Sequence, residues 1–147
     1  MAPDFEVKNQ HGETVKLSAF RGQKVVLYFY PKDDTPGCTD EGKQFRDSYA
    51  QFQSANSEIY GVSRDTLPSH ERFKAKMSFP FDLLSDPDER LCEMFGVMKM
   101  KNMYGKQVRG IERSTFVIDR EGKLAREWRK VKVDGHAREV LEFVAKL

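Results

Sequence analysis

The sequence predicts an α/β fold built on a mixed sheet with helices on both faces. Three observations carry it. Residues 25–30, VVLYFY, form an unbroken β-branched, aliphatic and aromatic run, the pattern of a strand buried on both faces. Helix-like and strand-like segments alternate after it. The chain then closes with a hairpin pattern and an amphipathic helix.

The elements follow in order. Gln10-His11-Gly12-Glu13 is a turn between two short extended pieces, and residues 14–17 alternate at period 2, so the fold opens on a β-hairpin. Ser18 caps one helical turn through Phe20, which Gly22 ends. Pro31 closes the strand over 25–30, because proline cannot donate to a sheet ladder. A loop over 32–37 leads into a helix over 38–55, with Phe45, Tyr49 and Phe52 as its buried stripe. Residues 58–62 read as a second strand. Thr66 as cap and Pro68 in the first turn start a helix over 67–77. Residues 81–84 are extended. Asp86-Pro87 opens another helix that runs to Phe95 and ends at Gly96. Residues 97–108 read as irregular. Residues 115–119 and 124–128 form a hairpin about the turn Arg120-Glu121-Gly122-Lys123. A final helix over 135–147 aligns Val140, Leu141 and Val144 on one face.

Composition excludes several function classes. The 147 residues contain no repeat, low-complexity tract or linker, so one domain over 1–147 is expected. Two cysteines make neither a disulfide scaffold nor a Cys-built zinc site. Charge is nearly balanced, 25 basic residues against 23 acidic, so no nucleic-acid partner is expected. Mean hydropathy is −0.66. No apolar run nears the roughly 18 residues of a membrane span. The opening MAPDFEVKNQHGE lacks the apolar stretch of a secretory leader, so a cytoplasmic protein with reduced thiols is expected.

The most informative segment is Phe29-Tyr30-Pro31-Lys32-Asp33-Asp34-Thr35-Pro36-Gly37-Cys38. It sets a cysteine beyond a buried strand's loop, in the first turn of a helix. Free N–H groups and about half a positive charge gather at a helix N-terminus. Both favour the thiolate, the reactive form of cysteine. The same N–H groups can cradle an oxyanion beside the sulfur. Thr35 brings a hydroxyl that donates one hydrogen bond while accepting another. Pro31 and Pro36 restrict the backbone. A cation is still needed, and Arg113, at the start of a core strand, is the candidate. The bland alternatives are a buried packing role for the cysteine and an ion pair of Arg113 with Glu112 or Asp119.

Pro31-x-x-x-Thr35-x-x-Cys38 resembles the active-site motif of the peroxiredoxins. The flanking APDF, YFYPKDDTPGCT, LLSDPDE, FGV, MYGK and ERSTFVID resemble the bacterioferritin-comigratory-protein (peroxiredoxin Q) subfamily, from about Ala2 to the last helix. The resemblance implies a thioredoxin-like fold and thiol-dependent reduction of hydrogen peroxide and organic hydroperoxides, with no cofactor. It makes Cys38 the peroxidatic cysteine and Pro31, Thr35 and Arg113 its supporting residues. The expected partners are a peroxide and an external thiol such as thioredoxin, glutaredoxin or glutathione, acting on a monomer.

The chain departs from that subfamily at one position. Many members carry a resolving cysteine five residues after the first, where this chain has Lys43. Three readings follow: a one-cysteine cycle resolved by an external thiol, resolution by Cys92 of the same chain, or resolution by Cys92 of another subunit. Cys92 flanks the Leu91 and Phe95 stripe of its helix, so a buried packing thiol is the expectation. A non-peroxidase thioredoxin-fold module that senses oxidants or binds partners is the competing class. Met98, Met100, Met103 and Tyr104 are candidates for an apolar collar that receives organic hydroperoxides or a reductant protein. His11, His70 and His136 show no metal-ligand spacing, so no metal is expected.

Overall fold

The computed structural model describes residues 6–147 except Arg21 and Tyr104, and of residues 101–103 only the backbone. The Ala2-Pro3-Asp4-Phe5 stretch lies outside the described residues. The elements run β1 (Glu6–Asn9), β2 (Thr14–Lys16), a 3-10 turn (Leu17–Phe20), β3 (Lys24–Phe29), α1 (Pro36–Ser54), β4 (Ser57–Ser63) and α2 (Leu67–Met77). They continue with β5 (Asp82–Ser85), α3 (Arg90–Met94), β6 (Met98–Met103), β7 (Lys106–Ile111), β8 (Ser114–Ile118), β9 (Leu124–Trp128) and α4 (His136–Lys146).

Every residue of β3 is buried, as its apolar run predicts, and β3 lies inside a seven-stranded sheet of order β2-β1-β5-β4-β3-β8-β9. It pairs parallel to β4 and antiparallel to β8, which makes the sheet mixed. Alternation along β3 divides the core. Val25, Leu27 and Phe29 face one cluster with Val62, Leu84, Leu91, Cys92, Phe95 and Phe116. Val26, Tyr28 and Tyr30 face the other, with Cys38, Phe45, Phe52, Phe73, Val140 and Val144. The two cysteines therefore belong to opposite faces of the sheet. Lys24 is buried at the start of β3, and its ammonium donates to the Val144 carbonyl of α4 at 2.6 Å.

The helices form where sequence chemistry places them. Thr35 is the N-cap of α1 and Pro36 its first residue, whose fixed φ suits that position. Thr66 caps α2 by accepting from the Ser69 amide, and Ser78 ends it in the left-handed region. α1 packs against α4 and β4, over the face that holds Cys38.

Two expectations are corrected. The helix from Asp86 to Phe95 shrinks to α3, because Glu89 takes a left-handed φ of 61° that no helix continues through. Asp86 still acts as a cap at a distance, its carboxylate accepting from the amides of Leu91 at 3.1 Å and Cys92 at 2.8 Å. The stretch 97–108, read as irregular, is instead largely a two-stranded antiparallel sheet of β6 and β7, with Met98 opposite Ile111 and Met100 opposite Arg109.

Gly42 shows how tightly α1 lies on this core. A Cβ there would stand 2.3 Å from the ring of Phe79, which is itself buried. Gly42→Ala gains up to about 1 kcal/mol of helix propensity, but overpacking costs about 1–3 kcal/mol. We expect a net loss of about 1 kcal/mol, read as a lower urea midpoint with an unchanged slope.

Candidate active site

The site begins where β3 stops. Tyr30 still donates its amide to the Val62 carbonyl at 3.0 Å. Pro31 then leads into the loop. Asp34 takes a left-handed φ of 60° and pairs with Lys76 of α2 at 2.8 Å. Thr35 stands extended at the helix cap, and its Oγ1 donates to the Lys32 carbonyl at 2.9 Å. With that donor committed, the oxygen is left to act as an acceptor. Cys38 is the third residue of α1, in the turn whose N–H groups have no intrahelical acceptor. It is only 1% exposed.

Arg113 arrives from the link between β7 and β8. Backbone bonds hold that link on both sides: Glu112 donates to the Val97 carbonyl at 2.8 Å, and the Arg113 carbonyl accepts from Val131 at 3.0 Å. The guanidinium Nη2 then donates to Cys38 Sγ at 3.4 Å. Gly37 lets it in, since a Cβ at that position would stand 3.0 Å from Nη2.

The carboxylate partner of Arg113 is neither Glu112 nor Asp119, the two neighbours considered from sequence. It is Glu41, whose Oε1 accepts from Nη1 at 2.7 Å. Glu41 was missed as a site residue, although it stands three positions after Cys38 and so shares its side of α1. Its side chain is 1% exposed, and its Oε2 has no hydrogen-bond partner among the described residues. Burial pushes its carboxyl up to about 7 against the pull of Arg113, so near neutrality it exchanges between carboxylate and acid. The arginine itself stays charged: Glu41 and Cys38 outweigh the burial that opposes it. Nearby, His136 bonds Thr115 Oγ1 through Nε2 at 2.7 Å, and burial lowers it to about 4, so it adds no competing cation.

The other candidates lie elsewhere. Cys92 sits in the opposite core, where burial first and the Asp86 carboxylate second raise its thiol far above the ordinary range. Met98 packs against that same core, while Met100 is 61% exposed on β6. The Met103 side chain and Tyr104 lie outside the described residues. His70 and His136 are buried and hydrogen-bonded within the fold. Among the described residues, no helix is long and apolar enough to cross a membrane.

The model of the AhpC/TSA family matches residues 1–127. Peroxiredoxin Bcp of Bacillus subtilis is 55% identical over 141 residues, covering 96% of this chain and 90% of that protein. The structure of Xanthomonas campestris peroxiredoxin Q superposes with a TM-score of 0.92 at 51% identity, over 97% of this chain and 90% of the other. A bacterioferritin comigratory protein of the same organism, studied for its alkyl peroxide reduction activity, superposes with a TM-score of 0.92 at 50% identity, over 97% and 90% of the two chains.

The geometry at Glu41 makes a prediction about pH. Its folded-state affinity for a proton exceeds that of the unfolded chain, so its contribution is greatest below pH 4.5 and is lost as pH rises through about 7. Relative to Glu41→Gln, which keeps an acceptor for Arg113 but does not titrate, the native chain should lose about 3 kcal/mol of unfolding free energy across that interval. Urea unfolding of both proteins at the two ends of the interval measures the difference.

Proposed function

The chain belongs to the AhpC/TSA family and is a thiol peroxidase of the peroxiredoxin kind, and we propose from that premise that Cys38 is its peroxidatic residue, working in a one-cysteine cycle. The observation that carries this reading is the donation from Arg113 to Cys38 Sγ at 3.4 Å inside the first turn of α1. A cation and a helix N-terminus converge on a single sulfur, and both stabilise its anion.

The reaction follows from the placement. The Cys38 thiolate attacks the terminal oxygen of the peroxide in line with the O–O bond. A sulfur–oxygen bond forms as the O–O bond breaks, and the departing oxygen leaves with the bonding pair. Thr35 Oγ1 accepts from the peroxide O–H and fixes its orientation, while Arg113 and the Cys38 amide favour the developing charge. Protonation releases water or an alcohol, and Cys38 is left as a sulfenic acid. An external thiol then attacks its sulfur and expels water, and a second thiol frees Cys38 from the mixed disulfide. Pro31 fixes where the loop leaves β3. The whole chain acts as one domain around this sulfur, as a monomer in the cytoplasm, where thioredoxin, glutaredoxin or glutathione supplies the thiol.

The placement of Cys92 favours an external thiol over internal resolution. A disulfide needs Cα atoms within about 7 Å, and the sheet lies between the two cysteines. Lys43 is exposed on α1, so the position five residues after Cys38 faces solvent and carries no thiol.

Two experiments test the reading. Cys38→Ser should abolish peroxide-dependent thiol oxidation in a coupled assay, while Cys92→Ser should keep it. Mass spectrometry after one equivalent of peroxide without thiol should find a trappable sulfenic acid at Cys38, and an internal Cys38–Cys92 disulfide would sink the one-cysteine cycle. The strand bearing Met98 and Met100 runs antiparallel to β7, two residues short of Arg113. We assign the exposed Met100, with Met98 packed behind it on the core, to receiving organic hydroperoxides. Replacing both methionines with glutamine should slow alkyl hydroperoxide turnover more than hydrogen peroxide turnover, whereas equal effects would remove that role.

A further inference from the structure

The loop that presents Thr35 and Cys38 is held by buried polar groups that the chemistry at sulfur does not use. Asp33 lies two residues before Thr35, yet it turns inward and is only 6% exposed, and His70 of α2 is 0% exposed. His70 Nδ1 stands 2.7 Å from Asp33 Oδ2, and its Nε2 stands 2.9 Å from the Leu84 carbonyl of β5. A carbonyl only accepts, so Nε2 carries a hydrogen. Asp33 also accepts from the Tyr30 hydroxyl at 2.5 Å on Oδ1 and from the Ser69 hydroxyl at 2.8 Å on Oδ2. Burial first, and the Asp33 charge second, raise the Tyr30 hydroxyl well above its ordinary range, which keeps it a donor.

Proton counting then describes the pair. A contact of 2.7 Å between Nδ1 and Oδ2 requires one proton between them. Held by the imidazole, it makes an imidazolium beside a carboxylate. Held by the carboxyl, it makes two neutral groups. The net charge is zero either way, which is how two ionisable side chains are accommodated without water. The Asp33 amide meanwhile donates to Asp65 Oδ2 at 2.8 Å, which also accepts from Ser63 Oγ at 2.6 Å. Polar atoms of Asp33, Asp65 and His70 lie within 4.8 Å of one another, but hydrogen bonds already join them, so the cluster is a frame.

We propose that the buried Asp33–His70 pair is a positioning device for peroxide attack: it ties the loop between Pro31 and Thr35 to α2 and β5 and so sets Thr35 Oγ1 against the sulfur of Cys38. The other restraints on the loop are weaker or purely local: the Asp33 amide to Asp65 Oδ2, the Thr35 hydroxyl to the Lys32 carbonyl, and the exposed Asp34–Lys76 bridge, which contributes little. Removing the Asp33 carboxylate unties this segment from α2 and β5 and leaves its amide bond to Asp65 as the remaining anchor ahead of Thr35. This rests on the reading of Cys38 as the peroxidatic residue.

The test compares two reagents on Cys38. Hydrogen peroxide needs both oxygens aligned, whereas iodoacetamide needs only a reachable thiolate. Asp33→Ala should slow oxidation by peroxide about 10- to 100-fold, the cost of a small misplacement, with alkylation by iodoacetamide unchanged or faster. Tyr30→Phe, which removes one donor to Asp33 and conserves shape, should shift the same ratio by a smaller factor, and it decides the matter if Asp33→Ala fails to fold. Asp33→Asn should recover most of the loss, because its amide donates to Nδ1 of a neutral His70 and keeps the pair uncharged. Native peroxide rates in Asp33→Ala or Tyr30→Phe, or a parallel fall with both reagents, would overturn the positioning role, as would Asp33→Asn behaving like Asp33→Ala. Failure of the premise looks different: Cys38→Ser would retain peroxidase activity.

Discussion

One guanidinium organises this molecule's chemistry. Arg113 reaches between Cys38 and Glu41, two groups that can both become anions and that are both buried. One cation cannot fully compensate two buried negative charges, and the structure resolves the conflict by raising the carboxyl. The cysteine and the carboxylate stand on one helix, three residues apart. The arginine comes from the link that enters β8, which lies beside β3, the strand that feeds that helix. Strand pairing in the middle of the sheet thus delivers the charge to the helix terminus. A change in the β3–β8 register would move the arginine and leave the sulfur behind.

Much of this was legible in the sequence, and for local reasons. The run over 25–30 and the helix over 67–77 announce themselves through periodicity, proline and cap residues within a few positions. The cysteine site is nearly contiguous from Pro31 to Cys38, so its strand, loop and helix terminus are visible together. Arg113 was legible as a residue type next to a core strand. Its partner was not, because the sequence neighbours Glu112 and Asp119 compete on paper with a carboxylate 72 residues away. Asp33 and His70 were hidden for the same reason: they lie 37 residues apart, and only the packing of α2 brings them together.

The two misread segments fail for other physical reasons. Nothing at residue 89 marks a left-handed conformation, since glutamate is not a residue that favours it. The β6–β7 hairpin is built from Met-Lys-Met-Lys-Asn-Met and Lys-Gln-Val-Arg-Gly-Ile, a pattern too polar to read as a sheet buried on either face. Its strands pair chiefly with each other, so the alternation that identifies core strands is weak.

The central sheet also acts as a partition. It places the cysteine that Arg113 holds in one core and the cysteine that burial, helped by Asp86, keeps protonated in the other. An internal disulfide is a resting state in which an oxidised protein can wait. Such a bond across this sheet would require the core itself to open, so in the proposed one-cysteine cycle an oxidised molecule has no place to wait. On that proposal its lifetime in that condition is set by how often a thiol arrives, which makes the surrounding thiol pool, rather than the chain's own architecture, the clock of the cycle.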